Sequence, residues 1–247
     1  MSGHNKWSSI KHKKAVTDAR KGKIFTKIIR EIIIATRNGG EKIENNPRLK
    51  NAIEDAREAN MPSDNIKKAI QRGSGKFLDS IYDEIIYEGY GPAGVALIVE
   101  VTTNNKNRSA SEIKKIFAKH SGSIVEVGCV SWMFSKKGCI IIDKSLVKNE
   151  EFMINTIIES GAEDFKNKKN DNIYEIITST SIFENVKNKL KEKKIQISSS
   201  KIVMIPQTYV TISGNDAINM LNLIYELEGH IDVKNIYSNS NISNNDI

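Results

Sequence analysis

The spacing of apolar residues changes once along this chain, and that change limits the fold more than any other feature. From about residue 18 to residue 73, apolar side chains recur every three or four positions; after residue 80 they recur mostly every second position, with shorter helical stretches between. Such a chain must build a helical front end and then sheets covered by helices. At 100° per residue, Phe25, Ile28, Ile29, Ile32, Ala35 and Thr36 line one side of a first helix. Arg20, Lys23, Lys27, Arg30 and Arg37 line the opposite side, so one side packs and the other faces water. Thr17 or Asp18 is placed to cap this helix, and Gly39-Gly40 to end it. Residues 1–16 lack helical periodicity and read as an extended arm. A second helix opens at Asn46-Pro47 with Leu49, Ala52, Ile53 and Ala56 inward. A third, capped by Ser63, runs from Asp64 to about Arg72 with Ile66, Ala69 and Ile70 inward, completing a three-helix domain over residues 1–78.

The stretch GSGKFLDS at 73–80 reads as a linker. Beyond it, strands 82–88 and 95–103 are joined through GYGPAG, and Ser109-x-x-Glu112 has the capping-box pattern for a helix to about His120. Alternation of Val130, Trp132 and Phe134 with Ser131 and Met133 predicts a half-buried strand, followed by a turn at 135–138. Strand 139–143, helix 150–160, strands 162–166 and 172–178, helix 180–193 and strand 197–205 then follow in the β-α-β-β-α-β order of a ferredoxin-like unit. A strand at 208–212, a helix at 215–228 and a strand at 231–237 return to complete the earlier sheet. Residues 139–206 are thereby an insertion into a domain made of 79–138 plus 207–240, and the polar residues 241–247 are expected to be a disordered tail. The expected class is α+β multidomain: an N-terminal three-helix domain, then two α+β domains, the last inserted in the middle one.

Charge is distributed as unevenly as periodicity. Residues 1–78 hold 18 Lys and Arg against 8 Asp and Glu, a net of +10; the other 169 residues hold 19 against 22, a net of −3. A coding bias toward Lys would not stop at residue 78. A basic front end on a mildly acidic body points to a polyanionic partner. Lys6, Lys11, Lys13, Lys14, Lys21 and Lys23 suit phosphates, whose bound counterions they would release. Trp7 can stack on an unpaired base or fold the arm back onto the helices. His12, among Lys11, Lys13 and Lys14, is either charged beside a phosphate or neutral in water. Arg20, Lys27 and Arg30 extend the basic surface along the helix, unless that side is an ordinary solvated one. A secondary candidate is Asn104, Asn105, Lys106 and Arg108 ahead of a helix N-terminus, a place that favours anions; the plainer reading is a polar loop with a cap.

Catalytic patterns are missing. Gly73-Ser74-Gly75-Lys76 lacks the preceding strand and following hydroxyl of a P-loop, and the sequence has no HExxH, no Cys/His ligand cluster and no serine in a nucleophile-elbow context. Neither a cofactor nor a metal is expected, and the chain reads as a non-enzyme. Cys129 and Cys139 read as buried free thiols of a reducing compartment. No signal-peptide core follows the start and no apolar run reaches the ~20 residues of a membrane span, so a cytoplasmic protein with neither a membrane nor a small-molecule partner is expected.

Four blocks are recognisable: GHNKWSSIKHKKAVTDARKGKIFTKIIREI, NPRLKNAIEDAREANMPSDNIKKAIQRG, YEGYGPAGVALIVEVTTNNKNR and VSWMFSKKG. They resemble the YebC/PmpR family over nearly the whole chain. The resemblance implies a cytoplasmic protein with a helical N-terminal domain and two α+β domains, the last inserted. It carries over Lys6, Trp7, Lys11, His12, Lys14, Lys21, Lys23 and Lys27 as the family's basic motif, without fixing any one contact. The family is described as DNA-binding transcriptional regulators, while its relative, the mitochondrial translational activator of cytochrome oxidase, points to the ribosome and messenger RNA. One departure is IVEVG at 124–128, where a more Gly-rich loop is expected. Three readings follow: a DNA-binding regulator, a ribosome- or RNA-associated translation factor, and an adaptor whose α+β domains bind proteins. The lack of a convincing recognition helix weighs against sequence-specific base reading. Trp7 and His12 in the arm suit RNA.

Overall fold

The computed structural model describes residues 18–75, 81–168 and 172–242. Helix α1 (Asp18–Gly39) packs against α2 (Pro47–Glu58) and α3 (Ser63–Gly73) around Ile32, Ile33, Ala35, Leu49, Ala52, Ile53, Ala56, Ile66 and Ala69. The Asn46 side chain accepts the Leu49 backbone N–H and so caps α2, with Pro47 at its first position. Ser63, expected as a cap, is instead the first residue of α3; Pro62 precedes it, and no side chain caps the helix. Gly73 lets α3 approach α1 closely, since a Cβ there would lie 2.6 Å from the Ile33 carbonyl oxygen.

The middle sheet has the order β3-β1-β2-β9, all antiparallel, from β1 (Asp83–Tyr90), β2 (Ala96–Thr103), β3 (Ser123–Val125) and β9 (Val233–Ser238). Helices α4 (Lys106–Lys119) and α7 (Gly214–Gly229) cover one face through Leu97, Val99, Val101, Ile113, Phe117, Met220 and Leu223. Ala96, Ile98 and Tyr237 on the other face meet Phe134, Val203 and Met204 of the next sheet. That sheet comprises β4 (Phe134–Asp143), β5 (Asp164–Lys168), β6 (Ile173–Thr178) and β7 (Ser199–Pro206) in the antiparallel order β5-β6-β4-β7. Helices α5 (Glu150–Glu159) and α6 (Phe183–Glu192) pack on it around Ile140, Ile142, Ile157, Ile176 and Leu190. Strands of the middle sheet therefore come from both sides of this unit in sequence, and the fold is α+β with an inserted ferredoxin-like domain.

Several expectations need correction. Helix α4 starts at Lys106, not at Ser109, because Asn105 caps it by accepting the Arg108 N–H; Ser109 is buried one turn inside. Residues 131–133 form a short 3-10 turn rather than a strand. Residues 135–138 are not a turn: β4 runs through them, so the supposed start of the insertion at 139 falls within a strand. Gly138 is needed because a Cβ would lie 2.3 Å from both Phe183 Cδ2 and Thr178 Oγ1. Strand β8 (Val210–Ile212) does not join the middle sheet; it pairs in parallel with β10 (Ser240–Ile242). Residues 241 and 242 are thus ordered, with Ile242 buried among Leu227 and Val233; the expected disorder of 243–247 lies outside the described residues. Both cysteines are free, but Cys129 is exposed, and only Cys139 is buried.

Candidate nucleic-acid interface

The cationic side of α1 is only partly open to water: Lys23 and Arg37 are exposed, Lys27 and Arg30 half-buried. Lys23, Lys27 and Arg30 lie on the C-terminus of α7, where the last carbonyls of a helix have no partner within it and carry partial negative charge. Lys27 Nζ donates to the Glu228 carbonyl (2.8 Å) and Lys23 Nζ to the Gly229 carbonyl (2.9 Å). Arg30 Nη1 donates to the carbonyls of Ile231 and Thr102, both at 3.1 Å, and to Asp232 Oδ1 at 2.7 Å. The Arg30 guanidinium also lies over the Tyr82 ring, 5.4 Å from its centre.

Asp232 is the hub of this contact. Its side chain has no exposed surface, and Oδ2 accepts from Ser109 Oγ (2.7 Å), Arg108 Nη2 (2.8 Å) and Thr103 Oγ1 (3.3 Å). Burial alone would raise its pKa; the bonds from Ser109, Arg108 and Arg30, with the charge of Arg30, outweigh it and hold the carboxyl below its ordinary value. His230 Nδ1 accepts the Asp232 N–H (3.1 Å), which leaves Nε2–H to donate to Glu112 Oε2 (2.8 Å). Donor atoms of Glu112, His230 and Asp232 lie within 4.8 Å of one another, but two guanidiniums already share Asp232 and would repel a cation.

The secondary candidate is explained by the same hub. Asn105 is the helix cap, Lys106 pairs with Asp83 at 3.2 Å, Arg108 is taken by Asp232, and Asn104 is exposed. The anion favoured beside this helix start is supplied from within the chain. Beside it, Arg48 donates to both Glu31 (2.8 and 3.1 Å) and Glu84 (3.0 and 2.6 Å), with Lys234 2.7 Å from Glu31. Burial opposes ionisation of Glu31, yet Arg48 and Lys234 hold it below the usual range; Arg48 does the same for Glu84 against its burial.

Helix α2 docks with the opposite sign. Glu54 is 3.2 Å from the buried Lys187 and 3.9 Å from Lys191, and Asp55 is 3.4 Å from Lys201, all three lysines belonging to the inserted domain. The helical domain therefore presents mostly cations to the middle domain, with Glu31 as the exception, and carboxylates to the inserted one. Burial, then the neighbouring charge of Asp55, raises the pKa of Glu58 at this junction.

Among the predicted site residues, Lys6, Trp7, Lys11, His12, Lys13 and Lys14 lie outside the described residues, and Arg20 and Lys21 fall in the first turn of α1. Lys23, Lys27 and Arg30 come together at the α7 terminus. Among the described residues of the helical domain, the exposed cations for which no carboxylate partner is seen are Arg37, Lys42, Lys50, Arg57, Lys67 and Lys68, and α3 turns Lys67, Lys68 and Gln71 outward. Sequence reasoning overlooked Asp232 and the α2 carboxylates. One signal was present: at 100° per residue Ile34 sits amid Lys23, Lys27 and Arg30, and it is buried, as an apolar residue inside a docked stripe must be.

These features define a class: a three-domain α+β protein whose charged helical front domain is docked onto both parts of a sheet-bearing body. The chain belongs to the TACO1/YebC family, since the family's N-terminal domain matches residues 5–76 and its second and third domains match residues 82–240. A "Probable transcriptional regulatory protein" of Endomicrobium trichonymphae is 59% identical over 247 residues, covering 100% of this chain and 98% of that protein. One of the same name from Dictyoglomus turgidum is 51% identical over 242 residues, 98% and 96% of the two chains. The crystal structure of a conserved hypothetical protein from Aquifex aeolicus superposes with a TM-score of 0.85 at 42% identity, covering 95% of this chain and 96% of that one. Among the described residues, no helix is long and apolar enough to cross a membrane.

Proposed function

We propose that this chain is a non-enzymatic, cytoplasmic regulator of gene expression that binds DNA through its basic N-terminal domain. The relatives' names support regulation. The observation that carries nucleic-acid binding is the net +10 confined to residues 1–78, which the internal pairs of Lys23, Lys27, Arg30 and Arg48 do not exhaust. The arm, with Lys6, Lys11, Lys13 and Lys14, Lys21 at the start of α1, and the outward face of α3, with Lys67 and Lys68, form the phosphate-contacting surface. Lys23 and Lys27 join it at their exposed flank, and Arg30 positions α1.

A second reading is an RNA- or ribosome-associated translation factor. It is favoured by Trp7 and His12 within the arm and by the docking of α1 and α2, which spends two of the three helices on contacts within the chain. Competition between duplex DNA and ribosomes or structured RNA at about 0.15 M salt separates the two. Specific duplex retention without ribosome co-sedimentation supports the first and defeats the second. In either case, replacing Lys11, Lys13 and Lys14 by Ala should weaken binding and flatten its salt dependence by about 0.7–0.9 log unit per lost phosphate contact. An unchanged slope removes the arm from the interface.

A further inference from the structure

The connection from β3 to β4 is built with more care than a linker between domains requires. The Glu88 carboxylate, 1% exposed, accepts backbone N–H groups from Gly128 (2.9 Å), Val130 (2.6 Å) and Ser131 (2.9 Å). Burial opposes its ionisation, and these three amides hold its pKa below the usual range. Gly128 adopts φ +97°, which favours glycine, and Val130 is buried with Ala96, Ile98 and Phe134. The Cys129 carbonyl accepts from Trp132 Nε1 (3.0 Å) and Tyr90 OH (3.4 Å). Gln207 closes the other side, its backbone N–H donating to the Met133 carbonyl (2.9 Å) and its side-chain amide to the Trp132 carbonyl (3.4 Å).

This frame holds a large aromatic ring in water. Trp132 is 66% exposed and Val127, on the same loop, 79%. The indole N–H is already bonded, so the ring offers a partner only its faces. Gln207 ties the segment to the stretch that carries Tyr209, a second exposed aromatic, and Lys136, also exposed, follows four residues after Trp132. A fixed aromatic face needs no ordering on contact and so loses little entropy when a flat partner lands on it.

We infer that Trp132 is a stacking platform for an unpaired nucleobase, a second contact point for the nucleic acid that the basic domain holds. The inference rests on the nucleic-acid reading above and adds a preference for single-stranded or unpaired segments. Stacking on an aromatic side chain does not depend on base identity, so the platform would read strandedness rather than sequence.

The chain has two tryptophans, so Trp7→Phe leaves Trp132 as the only indole reporter. The full-length Trp7→Phe protein is titrated with a dye-labelled mixed-sequence single-stranded DNA, the matching RNA and the matching duplex, following dye anisotropy for binding and indole emission for stacking. Single strands are expected to quench Trp132 and the duplex to leave it unchanged. Adding Trp132→Ala should weaken single-strand binding about 5- to 150-fold with the thermal midpoint preserved, while Trp132→Phe restores most of the loss. Binding by anisotropy with unmoved Trp132 emission and undiminished affinity of the Ala variant overturns the inference and leaves the nucleic-acid reading intact; the ring then belongs to a polypeptide partner. No binding of any of the three probes, measured by anisotropy with Trp7 intact, overturns both.

Discussion

Replacing Asp232 by Asn tests whether the front domain is held by one buried carboxylate. The change removes the charge that Arg30 and Arg108 share and turns an amide NH2 toward donors. Removing one partner of a buried pair costs about 3–5 kcal/mol, because the other charge stays buried without compensation. Arg108 is 43% exposed and regains water, and Arg30 keeps the carbonyls of Thr102 and Ile231, so the lower end, about 3 kcal/mol, is expected. Urea unfolding followed by circular dichroism should show the loss, and hydrogen exchange should show where it falls: amides of α1 and of the α7 C-terminus exchange faster, those of β4 and β6 do not. Arg30→Gln, alone and combined with Asp232→Asn, completes a cycle whose coupling should be about 2 kcal/mol. A shift below about 0.5 kcal/mol, with α1 protection unchanged, would refute the hub, because that is the range of an ordinary surface substitution.

Acid should open the same interface: Asp232, Glu31 and Glu84 have folded pKa values below their ordinary ones, so the stability they contribute is complete above about pH 5 and drains away as pH falls through the ordinary and then the lowered values. Small-angle scattering on a descending pH series should detect expansion before loss of helical signal, and simultaneous loss of both would contradict this order. Gly138→Ala should cost about 2–3 kcal/mol, read as a shifted urea midpoint, because both groups met by the new methyl lie in a packed core; a neutral result would mean Phe183 swings aside freely. Lys67→Ala with Lys68→Ala should leave stability unchanged and, if both touch phosphate, reduce the salt dependence of DNA binding by about 1.4–1.8 log units in slope; an unaltered slope excludes the α3 face.

Helix positions were legible because Asn46-Pro47, Gly39-Gly40 and the apolar stripes each have a local cause. The ferredoxin-like order was legible for a related reason, since its strands and helices are short apolar stretches separated by polar and turn residues, although β6 is buried throughout and does not alternate. Errors arose where a distant residue decides. Val130, Trp132 and Phe134 alternate as a strand would, but Glu88 captures the amides that a ladder needs. Ser109-x-x-Glu112 has a capping pattern, yet Ser109 is bound to Asp232, far along the chain, and Asn105 is the cap. The cationic stripe of α1 was correctly placed on one side, but a helical wheel cannot say what that side touches.

The topology also orders events in time. Strand β2 is completed on one edge only when Leu97 meets Ser238, after the whole ferredoxin-like unit has been made. That unit has its own core and its first and last strands are neighbours, with Phe134 paired to Pro206, so it can close by itself while the chain is still emerging. A ribosome stalled before β9 would thus display a finished inner module on an unfinished outer one, with the apolar edge strand β2 awaiting its partner and open to pairing with another chain.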